Sequence, residues 1–146
     1  MVDITEKRLT RREAVASGII TMRPETFRMI VKREIKKGDV LEVAKIAGIM
    51  AAKKTCELIP MCHPINITAV DISFHTDQSQ SRIGIESKVK IISKTGVEME
   101  ALTAVTVAAL TIYDMCKSVD RAMVISDIKL VKKSGGKSDN YNLEMI

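Results

Sequence analysis

Apolar and polar residues alternate along two stretches of the chain and recur at helical spacing along two others. In 66–75, Thr68, Val70, Ile72 and Phe74 share one side, while Asp71, Ser73 and His75 share the other. Residues 82–92 repeat this period, with Ile83, Ile85, Val89 and Ile91 together, and the polar link 76–81 makes the pair a hairpin. Helical spacing governs 40–57, where Val40, Val43, Ala47, Met50 and Ala51 recur, and 98–119, where Ala101, Val105, Ala108, Ile112 and Met115 form a stripe. The centre of the first helix, AGIMAA, is small enough to approach a sheet or another helix closely. Thr95 and Glu98 have the spacing of a capping box.

The remaining segments complete the order. Residues 14–22 are small and β-branched and predict a first strand, and Pro24 suits the first turn of a short helix over 24–34. Residues 36–39 form a turn and 123–131 a last strand. Residues 1–13 read as a flexible polar arm and 132–146 as a Gly/Ser-rich loop and tail. Strand, helices, two strands, helix, strand is the βαββαβ pattern of a ferredoxin-like α+β sandwich, an antiparallel sheet with helices on one face, here with an extra early helix. No repeat or linker divides the chain, so 1–146 is expected to be one domain.

Composition narrows the partners. Hydrophobic residues make up 46% and charged residues 28%, which suits a globular fold and excludes a disordered chain. No apolar run approaches the ~20 residues of a membrane span, and the N-terminal stretch lacks the apolar centre of a signal peptide. An odd count of three cysteines points to reduced thiols and a cytoplasmic location. The net charge of +5 favours an anionic partner. Nucleic acid is a poor fit: the chain has no Trp, two Tyr and two Phe to stack on bases, and its basic residues are dispersed. A small phosphorylated molecule fits better, with neither nucleic acid nor membrane as partner.

Four stretches carry candidate chemistry. In LIPMCHPI (58–65), Pro60 and Pro64 bracket Cys62 and His63. A metal site is disfavoured, because zinc needs three or four ligands and no second Cys/His motif exists. A Cys–His nucleophile is disfavoured too, because adjacent side chains on extended backbone point apart. His63 remains as an acid–base residue or as packing. Glu98 and Glu100 supply carboxylates at a helix start, where the macrodipole alone would favour them. Asp114 and Lys117 lie three apart in a helix that is otherwise apolar, so they should be paired and partly buried. SGGKS (134–138) is not a P-loop, since position 131 is Val and no helix can follow. Lys132, Lys133 and Lys137 there either close over an anion or sit in a solvated tail.

Taken together, KKGDVLEVAKIAGIMAAKKT, LIPMCHPI, KTGVEMEALTAVTVAALTIYDMCKSVD and KSGGKSD resemble the successive signatures of the MoaC family, from about Val2 to Asp139. The resemblance implies a MoaC-like domain over 1–146 in a homohexamer, a trimer of dimers with active sites at a subunit interface. It implies a lyase that converts 3′,8-cyclo-7,8-dihydro-GTP to cyclic pyranopterin monophosphate and releases pyrophosphate, early in molybdenum or tungsten cofactor biosynthesis. By motif it assigns catalysis to Asp114, Lys117, His63 and Lys37. Substrate contacts fall on Met61, Cys62 and His63, on Glu98, Met99 and Glu100, and on Arg12, Lys133 and Lys137. No resident cofactor is implied, and Mg2+ with the triphosphate stays open. Met61 and Ile65 replace the usual Leu on either side of CHP, and Asp139 replaces the usual Gly after GGKS. A basic oligomeric module that binds a nucleotide without changing it is the alternative.

Overall fold

The computed structural model describes residues 1–136 and 140–143; Lys137 and Asp139 lie outside the described residues. The elements run β1 (Thr10–Thr21), α1 (Pro24–Val31), α2 (Val40–Lys53), α3 (Thr55–Leu58), β2 (Ala69–Asp77), β3 (Arg82–Ser93), α4 (Glu98–Cys116), β4 (Val124–Ser134) and β5 (Tyr141–Asn142). One antiparallel sheet has the strand order β2-β3-β1-β4-β5, and α2 and α4 cover one face. This is the expected ferredoxin-like sandwich, with α1 as the extra early helix and β5 as an added edge.

β1 is the central strand because its inward residues, Ala14, Ala16 and Ile20, are fully buried and small enough to seat α4. It pairs with β3 in unbroken register from Thr10↔Ser93 to Thr21↔Arg82. That pairing corrects the flexible-arm expectation for 1–13: residues 10–13 are ladder strand, fixed by their partners 90–93. On the other side, β4 reaches Ser134, so Lys132–Ser134 are strand and not loop. Asp127, at φ 53°, is the extra residue where the β1–β4 register shifts.

The α4 stripe is buried as expected: Ala101, Val105, Ala108 and Ile112 are fully buried and Met115 nearly so. The α2 stripe is not. Val40 and Ala51 face inward, but so do Ala44, Gly48 and Ala52, while Val43, Ile46 and Met50 face solvent. Close packing explains this. A Cβ at Gly48 would lie 2.9 Å from the Ala104 carbonyl oxygen and 3.4 Å from Ala108 Cβ. Only the smallest side chains let the two helices come this near. By length and composition α4 could cross a membrane, but half of it is buried against the sheet and α2, as in a core helix.

Candidate active site

α4 starts without its expected capping box. Val97 is the N-cap residue and no side chain caps the helix; Glu98 is its first helical residue. Freed from capping, the Glu98 carboxylate lies 2.6 Å from Lys133 Nζ, which β4 carries in from the opposite side. Burial raises the Glu98 pKa, but the Lys133 hydrogen bond and charge, with Arg12 nearby, outweigh it and hold the carboxyl below its ordinary value. Arg12 is a buried β1 residue rather than part of an arm. Its guanidinium donates to the carbonyls of Ser93 and Lys94, both at 3.2 Å, and so shapes the turn into α4.

Two residues further on, Glu100 meets the opposite fate. It is buried, and its Oε2 has no hydrogen-bond partner. Burial is the main cause that pushes its pKa up, to about 7, with the Glu98 charge adding to it. One carboxyl is thus held charged and its neighbour is about half-protonated near pH 7. Such a split pair is the electrostatic arrangement of acid–base sites.

Met61, Cys62 and His63 face these carboxyls across a cleft of about 510 Å³, which Thr95, Gly96, Met99 and the N-terminal segment also line. The α3 turn sets this wall: Ile59 N donates to Thr55 O at 2.9 Å and Cys62 N to Ile59 O at 3.1 Å. Burial pushes the Cys62 thiol up, and Glu100 and Cys56 push it further, so the neutral thiol is a wall and not a nucleophile. His63 Nε2 lies 2.7 Å from Val2 O.

A second cluster forms elsewhere. Lys37, on the turn before α2, donates to the Asp114 carbonyl at 3.1 Å and approaches Asp114 Oδ2 at 3.4 Å. Lys117 Nζ binds Asp114 Oδ1 at 2.8 Å. The pairing is as expected, but partial burial is not: Asp114 and Lys117 are both exposed, because they lie on the outward face of α4 while Met115 and Cys116 between them turn into the core. The Lys117 hydrogen bond, then the Lys117 and Lys37 charges, hold Asp114 below its usual value; the same hydrogen bond raises Lys117.

The structure therefore gathers the candidate residues into two groups, one at each end of α4. Met61, Cys62, His63, Glu98, Met99 and Glu100 meet at its start, with Arg12 and Lys133 beside them. Lys37, Asp114 and Lys117 meet at its end. Fourteen residues separate Glu100 from Asp114, about 21 Å along the axis. Sequence reasoning missed Thr95, Gly96, Val2, Ile4 and Lys7 as cleft residues: Thr95 and Gly96 fall within a signature but read as a helix start, and Val2, Ile4 and Lys7 carry no motif. Among the described residues, no three His, Cys, Asp or Glu side chains converge as a metal site.

Fold and site together define a ferredoxin-like α+β protein with a carboxyl pair and a histidine at one end of its core helix and a lysine–aspartate–lysine cluster at the other. The chain belongs to the MoaC family, whose model matches residues 1–136. It is 66% identical to the cyclic pyranopterin monophosphate synthase of Thermoanaerobacter pseudethanolicus, over 99% of this chain and 92% of that protein. It is 61% identical to the synthase of the same name from Heliobacterium modesticaldum, over 97% and 89%, and 52% identical to that of Parvibaculum lavamentivorans, over 97% and 88%.

Proposed function

We propose that the chain is a lyase that converts 3′,8-cyclo-7,8-dihydro-GTP to cyclic pyranopterin monophosphate, with pyrophosphate leaving. The Lys37–Asp114–Lys117 cluster carries the reading. Two ammonium groups are held on one exposed carboxylate, ready to meet the phosphates of an anionic substrate. A ribose hydroxyl loses its proton as its oxygen attacks the α-phosphorus, and the pyrophosphate departs. Lys37 and Lys117 stabilise the charge that develops there. Asp114, kept ionised by its two neighbours, takes the hydroxyl proton. The ring rearrangement that makes the pterin needs protons moved on and off nitrogen, a task suited to His63 and Glu100. Mg2+ enters this reading only as a companion of the triphosphate.

One ligand cannot span both ends of α4, so the working site joins the start of one α4 to the end of another from a neighbouring subunit. The outward apolar residues Val43, Ile46 and Met50 on α2 and Leu110 on α4 supply surface for such packing. We place these sites in a homohexamer, a trimer of dimers, in the cytoplasm, where the three free cysteines stay reduced.

Pyrophosphate release from the cyclic nucleotide tests the activity, and purified protein that releases none refutes it. Subunit exchange tests the shared site. Mixed Glu100→Ala and Asp114→Ala proteins should regain activity, because each mixed pair holds one unaltered site. A mixture that stays inactive despite proven exchange refutes sharing.

A further inference from the structure

The cleft has a wall that the acid–base residues do not account for. Val2, Ile4 and Lys7 line it together with Met61, His63 and Glu100. This segment is folded. Asp3 Oδ1 accepts from Thr5 N at 2.9 Å and from Thr5 Oγ1 at 2.6 Å, which turns the chain. Lys94 Nζ donates to Thr5 O at 3.2 Å, and Ile4 is half-buried. The contact at His63 has a chemical consequence. A carbonyl oxygen only accepts, so the ring atom 2.7 Å from Val2 O must carry a proton. A neutral imidazole with its proton on Nε2 keeps its lone pair on Nδ1. Among the described residues Nδ1 has no hydrogen-bond partner.

We propose that Val2–Thr5 is a positioning segment of the active site: the Val2 carbonyl holds the His63 proton on Nε2, so that Nδ1 exchanges a proton with substrate. The substrate half of this rests on the functional reading above; the tautomer does not. Nδ1 takes a proton from the substrate, the ring becomes imidazolium, and the same proton is returned in a later step, so the ring ends unchanged. His63 is the catalytic residue, and Val2 acts through it. The turn that Asp3 makes with Thr5 sets where the Val2 carbonyl lies, and Lys94 ties the far side of the turn.

The chain has no tryptophan, so Ile4→Trp installs a single reporter. Its indole should be shielded from acrylamide in the otherwise unchanged protein and lose that shielding when His63→Ala is added. His63→Gln, whose amide nitrogen overlays Nε2, should keep it. Long-range proton–nitrogen spectra of histidine-labelled protein, with His75→Gln for assignment, should show neutral His63 protonated on Nε2. Deleting residues 2–5 should lower kcat about tenfold, part of the 10²–10⁴ that acid–base positioning supplies. KM should move little and the thermal midpoint should hold. An indole quenched equally with His63 or alanine in place, a ring protonated on Nδ1, or a deletion variant with wild-type kcat overturns the proposal. If the unaltered protein releases no pyrophosphate, the functional reading fails, and the quenching and tautomer results still decide the role of the segment.

Discussion

Replacing Glu100 by glutamine should stabilise the protein, and only above acid pH. Glu100 is 4% exposed and its Oε2 has no partner, so the ionised form has lost water and gained little in return. Burial, with the Glu98 charge added, raises its pKa from 4.5 to about 7. Below the unfolded value both states are protonated, and the side chain imposes no penalty. As pH rises through 4.5 to about 7, the unfolded chain ionises first and stability drains away. Above that window the full cost is present, about 3 kcal/mol at ~1.4 kcal/mol per pH unit. Glutamine keeps the shape and cannot ionise. Denaturant unfolding at fixed subunit concentration should find the two proteins within about 1 kcal/mol near pH 4.5. The variant should be ahead by about 3 kcal/mol near pH 8, roughly 10 °C in thermal midpoint for a chain of this size. A gap that stays constant across this range would refute the reasoning, because it would mean the carboxyl has the same proton affinity folded and unfolded.

Three further outcomes follow from particular contacts. Gly48→Ala should destabilise, since the ~1 kcal/mol of added helix propensity is outweighed by ~1–3 kcal/mol of overpacking against the Ala104 carbonyl, 2.9 Å from the new carbon; a raised melting temperature would contradict the α2–α4 packing. Asp114→Asn should lower kcat by about 10²–10⁴ with circular dichroism unchanged, because the side chain is exposed; retention of more than about a tenth of wild-type kcat would remove Asp114 from the mechanism. Affinity for the anionic substrate should fall as salt is added while unrelated RNA binds weakly, and tight RNA binding at physiological salt would sink the small-molecule reading of the +5 charge.

The α4 stripe was legible because its buried positions are filled by residues that hydropathy recognises, Val105 and Ile112 among them. The α2 stripe was misread because hydropathy rewards Val43 and Met50, whereas close approach to Ala104 and Ala108 demands Ala44, Gly48 and Ala52. Strand ends were misplaced for a different reason. Nothing in TRRE (10–13) announces a strand; the facing residues Lys90–Ser93 of β3 fix it. At the site, side-chain chemistry marked His63, Glu100 and Asp114. The contact that holds His63 is a backbone carbonyl 61 residues away, and a carbonyl leaves no trace in residue type. Exposure at Asp114 was also hidden, since apolar neighbours on α4 suggest burial, whereas Met115 and Cys116 take the inward face and leave Asp114 on the outer one.

Glu98 and Glu100 show how far neighbouring carboxyls diverge at the start of this helix. Both sit in the first turn, where the macrodipole should favour two anions. Two residues apart, they point to different sides. Glu98 meets Lys133 and stays charged; Glu100 meets apolar neighbours, finds no donor for Oε2, and is half-protonated near neutrality. Local surroundings therefore override a shared helix position and create an acid and an anion side by side. At the far end Asp114 lies on the outward face of the same helix, and Lys37 and Lys117 can crowd its carboxylate because water still reaches all three. Between the ends, Ala101, Ala104, Val105, Ala108 and Ile112 are fully buried, a dry interior with no room for a polar ligand. The packing that makes α4 a rigid core helix is what keeps its two polar ends apart. The shared site proposed above would bring a lysine pair to the carboxyl cleft from a neighbouring subunit.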